Sequence, residues 1–298
     1  MPTLRQLRYF EALARLGHFG KAADHCAVTQ PALSMQIQEM EQELGVMLAE
    51  RRARGVVLTD SGREIAERAR RILSDVRDIQ DFARSRAEPL SGPLHFGVIP
   101  TIAPYVLPPL LPLMKQARPK LELRIRETQT APLLRDLLEG GLDLLLLALP
   151  VDNPDVDTAP LFDDPFLLAS PADAAPCAAP LASDEMLRDR RLLLLEEGHC
   201  FRNQALAYCE LRRVQNIDTF GASSLTTLAQ MVAAGLGLTL LPQIALRVET
   251  ARANIRIARF PAPEPKRTLG LAWRASSPRR DEFLELGKLI AEAAATLA

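Results

Sequence analysis

The run Ala22-Ala23-Asp24-His25-Cys26-Ala27-Val28-Thr29-Gln30-Pro31-Ala32-Leu33-Ser34-Met35-Gln36-Ile37 decides the fold of the N-terminal part. Ala22, Ala23 and Cys26 are the small packing residues of a short helix predicted over 19–26. Val28-Thr29 then turns the chain. Thr29 is of the residue type that caps a helix, and Pro31 falls in the first turn, where its missing N–H costs little. A further helix is predicted over about 30–44, with Leu33, Ile37, Met40 and Leu44 on one face and Gly45 as its stop. Upstream, Leu4, Leu7, Phe10, Leu13 and Ala14 recur at helical spacing before Gly17. Three short helices joined by a tight turn predict a helix-turn-helix. The outer face of the third helix presents Gln30, Ser34, Met35, Gln36 and Gln38, mostly short hydrogen-bonding groups suited to base edges and phosphates.

Working outward, Glu50-Arg51-Arg52-Ala53-Arg54-Gly55 and the β-branched run Val56-Val57-Leu58-Thr59 predict a two-stranded wing whose arginine tip can reach the flanking DNA backbone or minor groove. Thr59 or Ser61 can cap the long helix that follows. Ile65, Ala69, Ile72, Val76, Ile79 and Ala83 alternate spacings of four and three, a heptad seam for a dimerising helix about 40 Å long. Arg63, Arg70, Arg77 and Arg84 recur every seven residues and read as a solvated face. Pro89-Leu90-Ser91-Gly92-Pro93 reads as a hinge.

The whole chain has 298 residues, of which 48% are hydrophobic and 24% charged, with a net charge of −1. That excludes a disordered chain and a polycation that coats nucleic acid. Residues 1–88 hold 14 basic against 13 acidic residues, so a DNA footprint must come from local arginines. No uninterrupted apolar segment resembles a secretory signal, and the uncharged stretch 219–246 is broken by Gly235, Gly237 and Pro242. A soluble, cytoplasmic protein with no membrane partner is expected.

Beyond the hinge, strand-like runs alternate with helical ones: Leu94–Ile99, Leu107–Gln116, Leu121–Ile125, Leu133–Leu138 and the apolar Asp143–Leu149. The pattern restarts at Phe166–Ala169 and continues through Leu192–Leu195, Gly237–Leu241 and Leu269–Trp273 to a final helix over 281–297. This predicts an α/β domain, and two such lobes with a cleft between them are what the family resemblance given below implies. The expected division is a winged helix-turn-helix over 1–59, a linker helix and hinge over 60–91, and a regulatory domain over 92–298. Lobe I is expected to take 92–164 and 269–298, and lobe II 165–268.

No phosphate loop, zinc-protease motif or serine nucleophile elbow is present, so no enzyme, cofactor or metal is expected. The cysteines carry the information. Cys26 fits a packed helix and Cys177 an Ala/Pro-rich exposed loop. Cys200 follows Gly198-His199 at the predicted start of a helix, where the dipole and the candidate cations Arg202 and Arg267 favour a thiolate. Cys209 stands nine residues on, about 13 Å away along one straight helix. A disulfide needs roughly 4.4–6.8 Å between Cα atoms, so pairing requires that segment to unravel. Spacing alone favours two cysteines packed on helix faces. With His199 they lack zinc-finger spacing.

Residues 1–90 resemble the N-terminal domain of LysR-type transcriptional regulators. The likeness lies in Ala22-Ala23, in Val28-Thr29-Gln30-Pro31-Ala32-Leu33-Ser34, and in Gln36-Ile37, Leu44-Gly45 and Glu50-Arg51. The resemblance implies double-stranded promoter DNA as partner, met by Thr29, Gln30, Pro31, Ser34, Gln36 and the wing's Arg54. Met35 departs from the Arg common there. It also implies a periplasmic-binding-protein-like regulatory domain. Glu197-Gly198-His199-Cys200, Arg202, Gln204-Ala205, Cys209 and Met231-Val232-Ala233-Ala234-Gly235 are similar to the peroxide-sensing OxyR subgroup, as are Ser91-Gly92-Pro93-Leu94 and Ile99-Pro100-Thr101. That similarity implies a peroxidatic Cys200, a resolving Cys209 and a hydrogen-peroxide pocket of Thr101, Thr130, His199 and Arg267. It further implies an activator assembled as a dimer of dimers and acting on RNA polymerase. Thr219 stands where relatives often have His. The alternative within the same architecture is a regulator that binds a small metabolite between the lobes, with the cysteines incidental. A thiol peroxidase would leave the helix-turn-helix and the coiled coil without a use.

Overall fold

Helix propensity and capping fix the first three elements. α1 (Leu4–Leu16) starts at a Thr3–Gln6 capping box and ends at Gly17, whose φ of 62° needs a residue without Cβ. α2 (Phe19–His25) is capped by His18, whose Nδ1 accepts from the Gly20 and Lys21 amides. α3 (Gln30–Leu44) begins after Thr29 and stops at Gly45. Thr29 has the extended backbone of a cap residue, but its side chain makes no capping bond, contrary to the sequence expectation. The structure is a computed structural model that describes residues 1–52, 55–173, 182, 190–211 and 221–297.

β1 (Ala49–Arg52) and β2 (Gly55–Leu58) form an antiparallel hairpin in which Ala49 opposes Leu58. This is the expected wing, although Arg54 lies outside the described residues. Two apolar clusters hold the unit together. One joins Phe10, Met40 and Leu48 to Ala66 and Ala69, and the other joins Leu13, Ala22, Ala23, Leu33 and Ile37. α4 (Asp60–Ala87) starts where the Thr59 hydroxyl accepts the Gly62 amide. Its first three turns therefore pack on the helix-turn-helix through Ala66 and Ala69. Further along, Ile72, Ile79 and Phe82 are exposed.

Residues 1–84 with 138–141 form one compact unit, and the remainder forms the other. In the second unit the chain runs β3 (Gly92–Val98), α5 (Ala103–Ala117), β4 (Leu121–Glu127), α6 (Thr130–Leu138) and β5 (Leu144–Leu149). It continues with β6 (Val156–Pro171), α7 (Cys200–Leu211), α8 (Leu225–Ala233), β7 (Thr239–Pro242) and a 3₁₀ turn at Gln243–Ala245. α9 (Leu246–Arg252), β8 (Ile255–Ala258), β9 (Lys266–Arg274) and α10 (Arg280–Ala295) close it.

β3 pairs in parallel with β4 and β5, but β5 pairs antiparallel with β9, and β9 antiparallel with β6. The sheet is therefore mixed. The apolar run of β5 suggests a strand with parallel neighbours, yet burial on both faces produces the same composition whichever way the neighbours run. β6 is long: its first part pairs with β9 and its last residues pair with β7 and β8. The expected lobe boundaries fall inside β6 and β9, so these two strands carry the chain from one half of the unit to the other. Leu192–Leu195 differs from expectation, forming isolated bridges to Leu238 and Ala222 rather than a full strand.

Candidate functional site

The turn between β3 and α5 delivers Thr101, which is buried. Arg267 on β9 reaches it: one guanidinium nitrogen donates to the Thr101 hydroxyl at 2.8 Å and another to its carbonyl at 3.2 Å. The remaining donors engage the Asp164 carboxylate at 2.9 Å, and both ion-pair side chains are 0% exposed. Asp164 Oδ1 also accepts the Ile244 amide. Burial pushes the Asp164 carboxyl up, against the pull of Arg267 and those backbone donors. A cation this deep needs such a partner, because an unpaired buried charge costs several kcal/mol, of order the cost of breaking a buried pair. The guanidinium also lies over the ring of Phe201, 5.1 Å from its centroid.

Phe201 ties this cluster to the cysteines. It is the second residue of α7, directly after Cys200, and packs edge-to-face on Phe166 of β6 at 4.9 Å. Gly198, with φ 94°, leads into that helix, and the Gln129 amide donates to Glu197 O at 3.2 Å. That positive φ favours glycine, and a Cβ there would also displace the Gln129 amide, which lies within 2.3 Å of its position. His199 is buried, and that burial holds its imidazole below the usual range despite Glu196 at 3.9 Å. Thr130, the first residue of α6, keeps a buried hydroxyl with no hydrogen-bond partner. Cys200 is half-buried and Cys209 buried, both as free thiols. They share one unbroken helix, so about 13 Å separates their Cα atoms. Burial, helped by Glu210, pushes the Cys209 thiol up to about 11.

The other candidate surface is α3. Thr29, Gln30 and Pro31 are exposed, while Ser34 and Gln36 are half-buried. Gln36 Nε2 donates to Glu39 at 2.6 Å. Met35 is 54% exposed, an apolar side chain on a face otherwise rich in amides and hydroxyls.

Residues 4–63 match the bacterial regulatory helix-turn-helix protein, lysR family, and residues 87–295 match the LysR substrate binding domain. The chain is 43% identical to the DNA-binding transcriptional dual regulator OxyR of Escherichia coli, over 97% of its own length and 94% of that protein. A probable hydrogen peroxide-inducible genes activator of Mycobacterium leprae is 40% identical over 99% and 95% of the two chains. A full-length OxyR variant from Pseudomonas aeruginosa superposes with a TM-score of 0.81 at 40% identity, covering 98% of each chain. The chain belongs to the OxyR group of the LysR family. A peroxide-bound OxyR mutant of Corynebacterium glutamicum is similar over 100% of this chain and 95% of that one, with a TM-score of 0.70 and 35% identity.

Within this OxyR-type chain, Thr101 and Arg267 are in direct contact, and His199 immediately precedes Cys200. Arg202 is occupied elsewhere, donating to Leu195 O at 2.9 Å. Cys177 and Thr219 lie outside the described residues. Sequence reasoning missed Asp164. Its signal is present in hindsight: Asp163-Asp164 interrupts a strand, and a buried acid needs a buried base. Among the described residues no group of three or more His, Cys, Asp and Glu side chains forms a metal site. No described helix is long and apolar enough to cross a membrane.

Proposed function

We propose that this chain is a hydrogen-peroxide-sensing, DNA-binding transcriptional activator switched between thiol and disulfide at Cys200 and Cys209. The observation that carries the reading is the buried Arg267–Thr101 contact at the start of α7, packed on the residue next to Cys200. The names of its relatives, which include hydrogen peroxide-inducible genes activators, support it.

The chemistry proceeds in two steps. The Cys200 thiolate attacks one peroxide oxygen, the O–O bond breaks, and hydroxide leaves to become water on protonation. Cys200 is then a sulfenic acid. The Cys209 thiolate attacks that sulfur, a second water leaves, and the disulfide forms. Thr101 and Thr130 hydroxyls and the neutral His199 imidazole supply hydrogen bonds for the two peroxide oxygens. Arg267 supplies positive potential for the thiolate and the departing hydroxide.

The DNA-reading residues are Thr29, Gln30, Pro31, Ser34 and Gln36 on α3, with Arg54 at the wing. The apolar seam of α4 is covered by a second copy, two dimers form the tetramer, and the cytoplasmic assembly acts on RNA polymerase at promoters. The test is thiol counting by mass spectrometry before and after one equivalent of peroxide. Loss of two thiols with a linked 200–209 peptide supports the switch. An unchanged count would overturn it in favour of a metabolite bound between the lobes.

A further inference from the structure

The β3–α5 turn is gripped at a second point that the switch chemistry does not use. Tyr105, in the first turn of α5, is buried and donates its hydroxyl to Glu249 Oε1 at 2.7 Å. Glu249 belongs to α9 and is 0% exposed. The same oxygen accepts the Thr226 hydroxyl from α8 at 2.9 Å, while Oε2 is buried with no partner. Two hydroxyl donors on one oxygen, the other left bare, is an expensive way to bury a carboxylate. Packing alone would be served by an apolar side chain.

The geometry points to Glu249 as a positioning residue for the peroxide pocket, acting through Tyr105 on Thr101. The connection is continuous. The Ile99 carbonyl accepts the amides of Ile102 and Ala103, and the Ile102 carbonyl accepts those of Tyr105 and Val106, all between 3.0 and 3.1 Å. One hydrogen-bonded turn thus carries Thr101 and Tyr105 together. Arg267 grips it at Thr101 and Glu249 at Tyr105. The phenol also lies in the electrostatic field of Arg267 and Arg252. Releasing Tyr105 frees the turn to shift, and a displacement of about 1 Å at a reacting site can cost on the order of a hundredfold in rate.

The role rests on the peroxide-sensing reading. Its test follows the oxidation of Cys200 in the reduced full-length chain by stopped-flow and by trapping of the sulfenic acid. Tyr105→Phe and Glu249→Leu should each slow oxidation roughly tenfold, as the loss of one orienting hydrogen bond does. Glu249→Gln keeps an acceptor at Oε1 and should stay within about twofold of the wild type. The pH profile of Cys200 alkylation by iodoacetamide should not move in Tyr105→Phe, because thiol ionisation is untouched. Adding Tyr105→Phe to Thr101→Val should slow oxidation no further, since both act through one hydroxyl. Wild-type rates in Tyr105→Phe, or additive losses in the double variant, would overturn the role. A wild-type Cys200 inert to peroxide would instead remove the sensor reading, and this role with it.

Discussion

At the scale of single residues, the two cysteines sit in different environments. Cys209 is fully buried with its thiol pushed up to about 11, so it stays protonated until its surroundings open. Cys200 is half-buried beside Phe201 and the Arg267 cluster. Cys200→Ser should therefore abolish the peroxide response and leave reduced-form DNA binding intact. Cys209→Ser should accumulate sulfenic acid at Cys200 without locking. Peptide mapping after a peroxide pulse checks both, and a modified Cys209 beside an untouched Cys200 would reverse the assignment. His199 supplies a pH dependence. Burial lowers its folded pKa, so the unfolded chain binds more protons once pH drops below about 6.5. Its contribution to stability is complete above that value and is lost as pH falls further. The melting temperatures of the wild type and His199→Asn should run parallel above about pH 6.5, and the wild type should fall more steeply below it; parallel profiles on the acid side as well would remove His199 as the source. The cysteines, His199, Thr101 and Arg267 were legible in the sequence through their resemblance to a family. Asp164 and the Tyr105–Glu249 pair were not, because a buried ion pair or hydroxyl bond between distant segments leaves no local spacing to read.

At the scale of elements, helices proved easier to read than strands. α1, α3 and α4 announce themselves by apolar spacing and by terminal residues such as Gly17, Gly45 and Thr59. β6 was legible only at Phe166–Ala169. Its earlier part, Val156–Pro165, is half-exposed, carries Asp157, Asp163 and Asp164, and is a strand because β9 pairs along it. α4 carries the element-scale prediction. Ile72 is 43% and Ile79 69% exposed in the single chain, at heptad spacing, with Val76 between them. Exposed apolar side chains at heptad spacing are the pattern of a helix that pairs with another helix, and the proposed dimer would cover them. In such a dimer an aspartate at 72 would be an unpaired buried charge costing several kcal/mol. Ile72→Asp should give monomers in sedimentation and lose operator binding while the helical signal persists. An unchanged oligomer would place the seam elsewhere.

At the scale of the whole molecule, the question is how a bond between two sulfurs becomes a change in the regulatory unit. α7 is one continuous helix with a cysteine at each end of the nine-residue interval, so the disulfide cannot close while it stands. Bringing Cα atoms from about 13 Å to within roughly 7 Å must break most of its i→i−4 bonds. Phe201, next to Cys200, is held by two partners at once, the Phe166 ring on β6 and the Arg267 guanidinium on β9, so any movement of Cys200 toward Cys209 works against both contacts. Those are the strands that run from one half of the regulatory unit to the other. Arg267 in turn holds Thr101, so disruption at α7 propagates along contacts present in the reduced fold rather than through an added pathway. The far edge of the sheet is further from this disturbance. β3 pairs with β4 on one side and β5 on the other, over a core of Leu94, Phe96, Leu144 and Leu146, and of these three strands only β5 meets β9. Oxidation should therefore be regional. Hydrogen exchange on peroxide-treated protein should speed up in α7 and at Phe166–Ala169 and stay protected at Phe96–Val98 and Leu144–Leu146. Cys209→Ser, which stops at the sulfenic acid, should show the reduced pattern throughout. Uniform acceleration across both regions would mean that the disulfide loosens the whole unit, and faster exchange in Cys209→Ser would move the trigger to Cys200 oxidation itself.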